Sequence, residues 1–141
     1  IKIASIIKFA LRYLVSIEEQ EKKNFYAYWS GNKDGLQKLN DSDYEDYLKY
    51  CTNNLKQYFS AVHDCFKEEW DDPESKVLSV ISINGFILAY TSFVSEYGVK
   101  EFDFFKEKLR HLEIDFSKEH FPYTSSQYKK FSIEILKTLK R

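Results

Sequence analysis

Apolar residues recur at three- and four-residue steps from Tyr44 to Trp70, through Tyr47, Leu48, Cys51, Leu55, Tyr58, Phe59, Val62 and Phe66. That period is helical, because residues three and four apart share one face of an α-helix. It predicts one continuous helix of about eight turns, opened by Asn40-Asp41-Ser42, whose side-chain oxygens can cap it. Upstream, Ile1 to Ser16 gathers Lys2, Ser5, Lys8, Arg12 and Ser16 into one polar arc and is apolar elsewhere, which predicts an amphipathic helix covered on most sides. Between the two, Ser30-Gly31-Asn32-Lys33-Asp34-Gly35 reads as a flexible loop.

Asp71-Asp72-Pro73-Glu74-Ser75 is expected to stop the long helix and cap the next, since Asp favours the N-cap and Pro the first helical position. Lys76 to Val94 leaves two readings open. Its central Asn84-Gly85 pair can turn a hairpin. A helix is preferred, because the alternation of a strand is missing and Leu78, Ile81, Gly85, Leu88 and Ser92 fall on one helical face. On that reading Gly85 admits a close neighbouring helix. Gly98 ends the segment, and Phe102, Phe105, Leu109 and Leu112 mark a shorter helix. His120-Phe121-Pro122-Tyr123 is an extended linker. Thr124 and Gln127 then form a capping-box pattern ahead of a last helix with Tyr128, Phe131, Ile135, Leu136 and Leu139 on its core face. The expected fold is all-α: about five helices in one orthogonal or bundle-like domain over residues 1–141.

Composition narrows the function classes. Lys and Arg number 21 against 22 Asp and Glu, so the chain as a whole lacks the basic field that drives non-specific DNA binding. Any nucleic-acid site must be local, and the last helix offers one: Lys129, Lys130, Lys137, Lys140 and Arg141 spread over about 120° of its wheel, opposite the apolar face. Aromatic residues make up 18% of the chain, with Phe25, Tyr26, Tyr28 and Trp29 crowded into five positions, where they either fill the core or form a docking surface. Cys51 and Cys65 lie about 21 Å apart along the expected helix and cannot bridge, which fits a reducing cytoplasm. No run is long and apolar enough for a membrane span. His63 and Cys65 point about 200° apart on a helix and cannot share a metal ion. The acidic clusters lack the glycine and late glutamate of a calcium loop. No nucleophile motif or phosphate loop is present, so no catalytic residue, cofactor or metal is assigned. An interior-like opening and a chain with no Met lead to the expectation that natural sequence lies upstream and that this domain is cut from a longer protein.

Two stretches, Ser75-Lys76-Val77-Leu78-Ser79-Val80-Ile81-Ser82-Ile83-Asn84-Gly85-Phe86-Ile87, and Asp115-Phe116-Ser117-Lys118 leading to Phe121-Pro122-Tyr123-Thr124-Ser125-Ser126-Gln127-Tyr128, resemble the region downstream of the signature in bacterial DGQHR-domain proteins. That group includes the regulator associated with DNA phosphorothioation. The Asp-Gly-Gln-His-Arg signature itself is absent, so no residue role transfers. The resemblance implies a bacterial cytoplasmic protein concerned with DNA modification or mobile-element defence, with this segment as its helical C-terminal part. The expected role is a non-catalytic interaction or accessory module that docks on its own upstream domain or on a partner protein. Two alternatives stand beside it: nucleic-acid contact through the basic face, and part of an enzyme of unknown reaction.

Overall fold

The computed structural model describes residues 10–18 and 21–141. Among the described residues a π-helical turn (Leu11–Val15) precedes α1 (Phe25–Tyr28), α2 (Lys33–Gln37), α3 (Asp41–Cys65), α4 (Lys67–Asp71), α5 (Val80–Tyr97) and α6 (Phe102–Leu109), and a 3-10 turn at Ser125–Gln127 leads into α7 (Tyr128–Lys140). No strand occurs among them, so the class is all-α. The division is finer than five helices. Most of the helix expected over Ile1–Ser16 lies outside the described residues.

Three corrections have local causes. The segment read as a loop at 30–35 contains the start of α2, because the Asn32 side chain accepts from the Gly35 amide at 3.0 Å and caps it. The long periodic helix breaks at Phe66, whose backbone leaves helical angles (φ −126°, ψ 42°) while its ring packs edge-on to Phe116 at 5.1 Å. Asp72 does not cap a helix at Lys76. Its carboxylate accepts from Glu74 N at 3.0 Å in a local turn, and α5 starts at Val80 under Ser79, which accepts from Ser82 N. Residues 72–79 are therefore a strap, pinned where the Lys76 carbonyl accepts from the Ser79 amide, the Ser79 hydroxyl and the Ser82 hydroxyl at 3.0, 2.7 and 2.6 Å.

Residues 80–94 are a helix and not a hairpin. Helix α5 is the central rod, buried on nearly every side. Of the expected face Leu78, Ile81, Gly85, Leu88 and Ser92, Gly85 is buried while Leu78, Ile81, Leu88 and Ser92 are half-buried, because the larger side chains Phe86, Tyr90 and Phe93 take the aromatic core. Gly85 does admit a neighbour: a Cβ there would lie 2.5 Å from the ring of Phe131 on α7. Gly98 ends α5 at φ +81°, a backbone region that favours glycine. The capping box is present, with Thr124 N donating to Gln127 Oε1 at 2.9 Å, and α7 buries Phe131, Ile135 and Leu139, with Tyr128 and Leu136 half-buried.

The aromatic surplus is the core. Tyr58 of α3 and Tyr90 of α5 stack at 4.2 Å with planes 5° apart, and Phe105 of α6 presents an edge to both at 5.0 and 5.5 Å. Their hydroxyls donate to the carbonyls of Phe86 (2.8 Å) and Asn54 (3.2 Å), so the rings bury without stranding their polar ends. No helix among the described residues is long and apolar enough to cross a membrane.

Candidate functional site

The aromatic quartet does not form an exposed platform. Phe25 and Trp29 are buried, Phe25 edge-on to Tyr90 at 5.8 Å and Trp29 against Tyr47 at 5.2 Å. Tyr26 and Tyr28 are half-buried with engaged hydroxyls: Gln37 Nε2 donates to the first, and the second donates to the Ser95 carbonyl. A four-residue helix spreads its side chains around its circumference, and here two of them anchor the segment in the core.

The basic face of α7 is exposed but divided. Lys137 lies 3.5 Å from Glu134 and Lys140 lies 3.1 Å from Glu96, so acids partly neutralise the last two turns. Arg141 sits in a mixed surface dip with Glu107, Lys108, Arg110, His111 and Glu113. Lys129 and Lys130, in the first turn, pair with no acid among the described residues.

Nucleophiles and metal ligands stay apart. Cys51 and Cys65 are both free thiols at opposite parts of α3. Burial pushes the Cys51 thiol up to about 11, which removes the thiolate as a nucleophile near neutrality. Cys65 is also raised by burial, and its thiol donates to the Lys106 carbonyl at 3.5 Å. The His63 ring packs edge-on to Trp70 at 5.0 Å. Among the described residues no group of three or more His, Cys, Asp or Glu side chains converges as a metal site would require.

The feature that stands out is an apolar groove of about 370 Å³ between α3, α4, the strap and the first turns of α5. Val62, Val77, Ile83 and Phe86 form its floor and are buried; Leu55, Phe59, Trp70 and Leu78 form its half-buried walls. Polar groups stand only on the rim, where Thr52 and Lys56 lie one turn apart on α3. Each wall has a local cause. The break at Phe66 swings α4 back so that Trp70 closes one end, held by its amide donating to the Phe66 carbonyl at 2.8 Å. The pinned Lys76 carbonyl fixes the strap, and Lys76 N donates to the Phe116 carbonyl at 2.7 Å, which sets Val77 inward. The volume falls in the range of specific binding clefts, and the lining is apolar with a small polar edge, as such clefts are.

The sequence contained part of this signal. Leu55, Phe59 and Trp70 belong to the Tyr44–Trp70 stripe, yet that stripe is wider than the core needs: α3 buries Tyr47, Cys51, Asn54, Tyr58, Ala61 and Val62, leaving Tyr44, Leu48, Leu55 and Phe59 on its flank. Leu78 stood out in the sequence only as one position of a helical face, whereas it lies on the strap ahead of α5, which has no periodicity of its own. No family model matches the chain, and no curated protein and no solved structure is similar to it.

Proposed function

We propose that this chain is a non-catalytic helical interaction module that docks through the α3–α4–α5 groove onto its own upstream domain or a partner protein. The groove carries the reading. It is a concave, almost wholly apolar surface left open among the described residues, while most of the aromatic residues described are packed into the core, and such a surface marks a docking site more often than a solvated face. A nucleic-acid contact is the weaker reading, because acids partly neutralise Lys137 and Lys140, and among the described residues only Lys129, Lys130 and Arg141 of the basic face are left without an acidic partner. The two stretches at 75–87 and 115–128 support placing the module in a DGQHR-like bacterial protein linked to DNA modification or defence.

Trp70 makes the reading testable with a hydrophobic fluorescent dye. In a Trp29→Phe chain, bound dye is expected to accept energy from Trp70, and Leu78→Glu is expected to weaken binding about tenfold by placing a charge in the apolar wall. Dye binding that Leu78→Glu leaves unchanged would remove the groove as a docking surface.

A further inference from the structure

The groove is one end of a longer apolar surface. Tyr44 and Leu48 are 44% and 36% exposed, and they continue on α3 the flank that Leu55 and Phe59 occupy inside the groove, with the small Thr52 between. From Tyr44 to Phe59 the stripe is ~22 Å long at 1.5 Å per residue. That length exceeds a small ligand and matches one helix of about four turns. The exposed half is convex and carries two protruding side chains. The other half is concave and offers a slot between Leu55, Phe59, Trp70 and Leu78.

Resting on the docking reading above, we propose that the occupant is a second copy of this chain, with the two α3 helices packed antiparallel about a two-fold axis. The stripe is complementary to itself in that arrangement. Tyr44 and Leu48 stand as far from its centre as Phe59 and Leu55 do. A single antiparallel register therefore sets Leu48 against the other copy's Leu55 and Tyr44 against its Phe59, once on each side, as an isologous interface requires. Each copy's protruding pair fills the other's slot.

Charge falls close to the same register, since Glu45 and Lys56 centre one residue away from the stripe and so sit about 3 Å off level, a gap their long side chains span. Glu45 and Lys56 flank the stripe, eleven residues apart and so within about 20° of each other on the wheel. Neither pairs with an opposite charge among the described residues. A two-fold axis across antiparallel helices brings matching flanks together, so Glu45 of one copy meets Lys56 of the other, twice per dimer. One helix pair buries less than the ~800 Å² per partner of a standard interface, so the dimer is expected to be weak and to form with rising concentration across the micromolar range.

The test is the mass of the 141-residue chain by sedimentation across that range, with circular dichroism as the control for folding. The mass is expected to double with concentration. Leu48→Glu, Lys56→Glu and Glu45→Lys are each expected to weaken the dimer about tenfold or more, because the symmetric interface doubles every change. The Glu45→Lys/Lys56→Glu double variant is expected to dimerise again. A wild-type chain monomeric throughout would overturn self-docking, and the dye experiment with Leu78→Glu shows separately whether the groove still docks something else. A dimer indifferent to Leu48→Glu and Lys56→Glu, or singles that the double variant does not rescue, would equally overturn this pairing.

Discussion

Gly85 sits where α5 and α7 touch, and a methyl group there would meet the Phe131 ring at 2.5 Å. Helix propensity alone favours Ala over Gly by about 1 kcal/mol, but overpacking a core contact costs about 1–3 kcal/mol. Gly85→Ala is therefore expected to lower stability in denaturant unfolding, and Phe131→Leu is expected to recover part of the loss in the double variant. Two tyrosines give a matched contrast. The Tyr58 hydroxyl donates to the Phe86 carbonyl at 2.8 Å, whereas the Tyr50 hydroxyl lies buried beside the Asn54 side chain without a well-formed hydrogen bond. Tyr58→Phe should cost about 1 kcal/mol, and Tyr50→Phe should be close to neutral. Burial also holds Tyr47, Tyr58, Tyr90 and Cys51 protonated in the folded chain. Unfolded, they ionise near their ordinary values, about 8.5 for Cys and about 10 for Tyr. Above those values the native state holds more protons than the unfolded one, so stability is full below about pH 8.5 and falls as pH rises through about 9 to 11. Unfolding midpoints measured at rising pH check the sign. A midpoint constant to about pH 11 would contradict it.

At the scale of elements, α6 shows how a helix can begin without a cap of its own. Glu101 makes no side-chain capping bond; instead Gln57 of α3 accepts from Phe102 N at 2.8 Å. Gln57→Ala is expected to cost about 1 kcal/mol and to speed amide exchange in the first turn of α6 while leaving α7 unchanged. This cap was invisible in the sequence because its partners are 45 residues apart. The capping box at Thr124 and Gln127 was visible, because both partners lie within four residues. The same rule divides the rest. Helicity at 80–97 and the close approach at Gly85 followed from local pattern, whereas the break at Phe66 did not, since it depends on Phe116 fifty residues later. The Asp72-Pro73 signal was local but ambiguous, and a turn beside the Ser79 cap took it.

In the whole molecule, the aromatic residues and the groove belong to one arrangement. Tyr58, Tyr90 and Phe105 hold α3, α5 and α6 together on one side of α3, and among the described residues its other flank stays exposed at Tyr44 and Leu48 and half-buried in the groove at Leu55 and Phe59. The sequence displayed the full width of that stripe but not which part the core would claim, because periodicity counts apolar residues without saying how many neighbours are available to cover them. Acrylamide quenching of Trp70 in a Trp29→Phe chain, followed from dilute to concentrated solution, reads this flank directly. Trp70 is expected to be open to quencher when dilute and increasingly shielded as copies associate. A Trp70 shielded at every dilution would contradict the open groove, and one equally open at every concentration would contradict its use by a second copy.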